Sequence, residues 1–158
     1  MSSLAQFNVD MDKAVKKLIH EDVADVLREA ALMVFAGVVN GSPVDTGRFR
    51  ASWTVGIGTK SDFIAEDTYR GTRGPDGEAA RNSQQEAMER GERILSEQNV
   101  TGEDLIVISN NLPYASELAN GSSEQAANGW IDLVIDEVEE FLEEEEGGGK
   151  RRGPHSRR

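Results

Sequence analysis

The sequence predicts an α+β fold in which a long N-terminal helix and a C-terminal helix pack on a small, mainly antiparallel sheet. Three observations predict it. From Val15 through Leu18, Val26, Leu27, Ala31, Val34 and Val38, apolar residues recur every three or four positions, which sets them on one stripe of a helix. Two short stretches, Trp53 to Ile57 and Leu105 to Ile108, follow strand patterns instead. From Gly129, the residues Trp130, Ile131, Val134, Ile135, Val138, Phe141 and Leu142 return to helical spacing.

Taken in order, residues 1–10 show no clear period and read as an arm leading into the fold. The first helix should run from Asp12 to Val39, with Asp10 or Asp12 as its cap, and span about 40 Å at the usual rise. Its stripe is long enough either to cover the protein's own sheet or to meet a neighbouring subunit. Asn40-Gly41 suggests a left-handed stop, and Pro43 forbids continuation. The segment Ser42-Pro43-Val44-Asp45-Thr46-Gly47-Arg48-Phe49-Arg50-Ala51-Ser52-Trp53 is then a joint. Asp45 and Thr46 offer side-chain oxygens to free backbone N–H groups, and Gly47 permits a backbone angle that a Cβ would forbid. If the segment is extended, Arg48 and Arg50 face one side and Phe49 the other.

Trp53, Val55 and Ile57 alternate with small or polar residues, the period of a half-buried strand. Asp62 to Tyr69 is a weak candidate for a second strand. Arg70 to Gly77 is a loop by composition, and residues 79–98 form a marginal helix interrupted by Gly91, so residues 70–100 read as an insertion. The β-branched run Leu105 to Ile108 is expected to be the central strand. Asn110-Asn111-Leu112-Pro113 turns it into one helical turn over Tyr114 to Leu118, ending near Asn120-Gly121. Residues 122–128 are polar and read as mobile before the last helix, which ends in a run of glutamates. Residues 1–146 are thus one domain, and residues 147–158 a disordered basic tail behind a glycine hinge.

Composition removes several function classes. The chain has 158 residues, no cysteine and two histidines, so disulfide frameworks, thiolate metal sites and zinc chemistry have no support, and no cofactor is expected. The longest apolar run, Ala30 to Val39, is far shorter than the roughly 18 residues of a membrane-span candidate. The first residues lack a secretory pattern, so synthesis in a cytoplasm is expected. The net charge is -12, and the tail contributes five positive charges from Lys150, Arg151, Arg152, Arg157 and Arg158, which leaves -17 on residues 1–146. Such a body repels phosphate backbones.

Catalytic constellations are missing as well. His20 lies beside the helical stripe with no Ser, Cys or second His placed to work with it. The glycines around Arg73 recur every third position, but no Lys-Ser or Lys-Thr completes a phosphate loop. The glutamate run lacks the alternating spacing of a calcium loop. Charge alone would also suit a soluble acidic decoy that mimics DNA and occupies a DNA-binding protein.

The joint carries a resemblance. Pro43-x-Asp45-Thr46-Gly47-Arg48-Phe49-x-x-Ser52-Trp53 resembles a signature of tailed-phage neck and tail-completion proteins. A second stretch, Tyr114-Ala115-x-Glu117-x-x-x-Gly121, is similar to the segment that follows a strand in that family, with Glu117 one place early. The resemblance covers roughly residues 10–142. It implies a structural virion protein of the head-tail junction, forming a ring of six copies between the head connector or stopper and the tail tube proteins. DNA would pass through without specific binding and no membrane would be involved. Asp132, Asp136, Glu139 and Glu143 fall three or four apart on one helical face and are candidates to line the channel.

Overall fold

The computed structural model describes residues 6–9, 23–68, 70–121, 125–126 and 128–148. In chain order these form β1 (Gln6–Val9), α1 (Val23–Gly41), α2 (Arg48–Ala51), β2 (Trp53–Ile57), α3 (Glu78–Glu97), β3 (Ile106–Asn110), α4 (Ala115–Ala119) and α5 (Trp130–Gly148). The fold is the expected α+β arrangement of an N-terminal and a C-terminal helix on a small sheet. The expected start and cap of the first helix, His20, most of residues 122–128 and the tail from 149 onward lie outside the described residues.

The sheet has the order β1-β3-β2, and both pairings are antiparallel. The β-branched run therefore sits in the centre, as its composition requires. Trp53 pairs with Asn110, Val55 with Ile108 and Ile57 with Ile106. Paired residues share a face, so Trp53, Val55, Ile106 and Ile108 join Leu27, Val34, Phe35 and Val38 of α1 in one core. α5 runs antiparallel to α1, with Val134 beside Gly37 and Trp130 beside Gly41. A Cβ on Gly37 would stand 2.4 Å from a Val134 methyl, so the two helices meet closely here.

Several expectations change. Residues 6–9 are an edge strand of the sheet and not an arm. α1 ends without a left-handed residue at Asn40 or Gly41. Its last turn is closed by Ser42, whose N–H reaches the Val39 carbonyl at 3.3 Å and whose hydroxyl donates to the Val38 carbonyl at 2.6 Å. Arg48–Ala51 is a helical turn and not an extended segment, because Ala51 N–H finds the Gly47 carbonyl at 2.9 Å. Of the residues described between Asp62 and Thr68, none forms a strand. The marginal helix is a full one of 20 residues, and it belongs to the core. Its buried face consists of Ala79, Ala80, Ser83, Ala87, Gly91 and Leu95. Phe35 lies so close to Gly91 that a Cβ there would come within 2.3 Å of the ring. Strand β2 is buried on both faces, Thr54 and Gly56 included. The half-buried alternation was an underestimate.

Candidate functional site: the hollow between the two signature stretches

The joint after α1 is fixed by side chains that satisfy backbone carbonyls left free at helix and strand ends, as buried polar groups require. Trp53 Nε1 donates to the Ser42 hydroxyl at 2.8 Å, so the ring that enters the core also ties down the end of α1. Arg50 donates to the carbonyls of Ala80 (3.0 Å), Asn40 (3.1 Å) and Ser42 (3.0 Å). Asn110, fully buried at the end of β3, donates to the Phe49 carbonyl at 2.8 Å. Ser52 donates to the Arg48 carbonyl at 2.7 Å and accepts from Ala65 N–H at 3.2 Å. Phe49 meets Trp53 edge-on, with ring centroids 5.8 Å apart, a favoured aromatic geometry.

Gly47 is the pivot. Its φ of +89° is left-handed, which disfavours any side chain. Thr46 Oγ1 accepts from Arg48 N–H, at a long 3.4 Å. Asp45, expected as a second backbone partner, instead pairs through both carboxylate oxygens with Arg73 in the loop before α3. That hydrogen bond holds the Asp45 carboxyl below its ordinary pKa, against a small opposing effect of burial. The same loop is anchored by Arg70, whose guanidinium is buried and bonded to Glu86 at 2.8 Å.

The two signature stretches, separated in sequence by residues 54–113, line one hollow of about 450 Å³. Pro43, Asp45, Thr46, Gly47, Arg48 and Phe49 come from the first stretch and Tyr114 from the second, with Val44, Asp67, Leu118 and Gln125 completing it. Val44 is buried and Tyr114 is 39% exposed, so the hollow has an apolar floor and an open rim. Gln125 locks Val44 as a strand would, accepting from its N–H at 2.7 Å and donating to its carbonyl at 2.8 Å. Arg48 reaches from the joint to the Ala65 carbonyl at 3.1 Å and to Asp67 at 3.9 Å.

Not every signature residue belongs to the hollow. Ser52, Trp53 and Ala115 are core. Gly121 ends the turn after α4 with φ +81°, and Glu117 is exposed away from the lining. Asp132, Asp136, Glu139 and Glu143 are all exposed on α5, whose opposite side carries the buried Ile131 and Val138. Four residues that the sequence did not single out matter here: Asp67, Asn110, Gln125 and Arg90. Arg90 donates to the carbonyls of Ala51 and Trp53 and lies 3.9 Å over the Phe63 ring. Burial pushes its guanidinium down to about 10, still charged at neutral pH. For Asn110 a signal was present, a polar amide closing an apolar strand. Asp67 and Gln125 gave none. Among the described residues, no group of three or more His, Asp or Glu side chains is placed to hold a metal, and no helix is long and apolar enough to cross a membrane.

The fold and the hollow define a small α+β module in which the side chains of the two signature stretches fix a joint and line an open surface. The chain belongs to the HK97-gp10-like family, described as "Bacteriophage HK97-gp10, putative tail-component", whose model matches residues 5–121. The resemblance carried by the two signature stretches thus holds, and the chain is a structural component of a phage tail, which places it in the virion. The match ends at the close of the second stretch, so α5 lies beyond it. Comparison with curated proteins and with solved structures gave no match.

Proposed function

We infer that this tail component works at the head-tail junction as a neck or tail-completion protein. Six copies form a ring between the head connector and the tail tube, and DNA passes through it. The observation that carries this reading is the hollow: the two stretches that mark the family meet there and build an open, apolar-floored surface, suited to receiving a flanking virion protein. No proton shuttle or nucleophile is needed for such a role, because it is geometrical. The acidic face of α5, with Asp132, Asp136, Glu139 and Glu143 exposed along it, is suited to line the channel, since a repulsive wall keeps a polyanion from adhering.

The test is a phage in which this chain is deleted. Filled heads and complete but unattached tails, visible by negative-stain imaging and joined again when the purified protein is added, are the expected result. Normal joining without it, or tails that never polymerise, would refute a junction role. Imaging the purified protein with tail tubes should show sixfold density at one tube end.

A further inference from the structure

Three Asn-Gly pairs occur in the chain: Asn40-Gly41, Asn120-Gly121 and Asn128-Gly129. In such a pair the second backbone nitrogen meets little hindrance on its way to the asparagine side-chain carbon, because glycine has no Cβ and turns freely. Whether it gets there depends on the fold, and the fold treats the three pairs differently.

Asn40-Gly41 closes the last turn of α1. Arg50 donates to the Asn40 carbonyl at 3.1 Å, and Gly41 lies under Trp130, whose Cε3 is 2.8 Å from where a Cβ would stand. The Gly41 nitrogen can turn towards the Asn40 amide only if the helix end opens beneath that ring. Asn120-Gly121 is held by less. Asn120 ends α4 at φ −80° and ψ 3°, and the Gly121 N–H donates to the Leu118 carbonyl at 3.2 Å. That hydrogen bond has to be given up first.

Asn128-Gly129 is under neither restraint. The pair forms the turn that leads into α5, and Asn128 is exposed. The Gly129 carbonyl accepts from Leu133 N–H at 3.3 Å, but among the described residues nothing accepts from the Gly129 N–H. Gly129 has φ +82°, and Asp132 Oδ2, 4.0 Å from where a Cβ would stand, is the nearest atom outside its chain neighbours. Asn120, Asn128, Gly129 and Asp132 line a second, open hollow of about 280 Å³. The nitrogen is therefore unbonded, uncrowded and within reach of water.

We propose that Asn128 is a site of spontaneous modification, at which the chain loses ammonia and gains a carboxylate. The Gly129 nitrogen gives its proton to hydroxide and bonds to Asn128 Cγ. The bond from Cγ to the side-chain nitrogen breaks, and that nitrogen takes a proton from water and leaves as ammonia. A cyclic imide now joins the two residues. Water opens it at either carbonyl: cleavage of the new bond gives aspartate, and cleavage of the original peptide bond gives isoaspartate, whose main chain runs through Cβ and Cγ. Nothing is oxidised or reduced. Either product places a new negative charge in the hollow that holds Asp132, and isoaspartate adds a methylene to the main chain just before Trp130, the ring that seats α5 on Gly41. New and aged protein thus differ at the entry to α5.

The test is to age the purified full-length protein at neutral pH and follow the three pairs by mass spectrometry. Cleavage after glutamate places Asn120 and Asn128 on different peptides, since Glu124 lies between them. Acid should replace amide at Asn128 at least about tenfold faster than at Asn40, which has to wait for a local opening, with Asn120 between the two. In urea, where the fold no longer separates them, the three rates should agree to within about threefold. Asn128→Gln, a change at an exposed position, should remove the first acidic species that isoelectric focusing resolves in aged wild type and leave the melting temperature unchanged. Equal rates at the three pairs in the folded protein would overturn the proposal. So would Asn40 or Asn120 reacting ahead of Asn128, or folded protein that keeps the Asn128 amide while protein in urea loses it.

Discussion

Replacing Gly47 by alanine tests whether the family's signature is a folding device, and the structure separates two costs that such a change incurs. The first is conformational. At φ +89° a side chain costs about 1–2 kcal/mol. The second is steric, since the new Cβ would stand 2.9 Å from the Ala79 carbonyl and 2.9 Å from Ser83 Cβ, and one of these is backbone that cannot rotate away. Forced overpacking of this kind costs about 1–3 kcal/mol. Together they give about 2–5 kcal/mol, which in a chain of this size lowers the melting temperature by about 4–20 °C. Gly58 supplies the control. Its φ is +80°, but nothing lies within 4 Å of its would-be Cβ, so Gly58→Ala should show the conformational cost alone and melt about 2–8 °C lower. Calorimetry on the two variants reads the difference directly. Equal shifts would refute the close approach of α3 to the joint, and an unshifted Gly47→Ala would refute the structural account of the signature.

Three further outcomes follow from named contacts. Gly91→Ala should destabilise by about 1–2 kcal/mol although alanine is the better helix former by about 1 kcal/mol, because its methyl would meet the Phe35 ring; a gain in melting temperature would show that α3 and α1 are not in contact there. The Asp45 carboxyl has its pKa lowered in the folded state by Arg73, so its contribution is present above its unfolded pKa of about 3.9 and is lost as pH falls through the folded value. An NMR titration should find the Asp45 midpoint below the usual aspartate value and Arg73→Ala should return it; an unshifted wild-type midpoint would refute the pair. If α5 lines a channel, changing Asp132, Asp136, Glu139 and Glu143 to lysine should slow DNA release from intact particles, more so at low salt. Normal release at all salt concentrations would put that face outside the channel.

What the sequence made legible follows from how each element is stabilised. α1 and α5 bury large apolar side chains at a fixed period and β3 is a continuous β-branched run, and both patterns are what a single sequence displays. α3 hid because its buried face is made of alanine, serine and glycine, residues that count for little in hydrophobic spacing. They are small because Phe35 and the joint press against them: Gly91 leaves space for the ring, and Ser83 stands where Gly47 passes. β1 hid because Gln6-Phe7-Asn8-Val9 alternates for only four residues, too few to distinguish a strand from an irregular lead-in. The turn at Arg48–Ala51 is the same problem in reverse, since four residues with alternating character fit a strand or one turn of helix equally well.

The joint could be read because its restrictions are local: proline fixes one angle, and glycine releases another. The hollow could not, because its walls come from positions near 45, 67, 114 and 125, and no spacing rule connects them. Residues 59–68, which leave β2 without helix or strand, are harder still. Their stability belongs to residues far from them, Arg48, Ser52, Arg90 and Asn111, each of which satisfies one or two of their backbone groups or packs on the Phe63 ring. A segment held this way has no need of period in its own sequence and shows none.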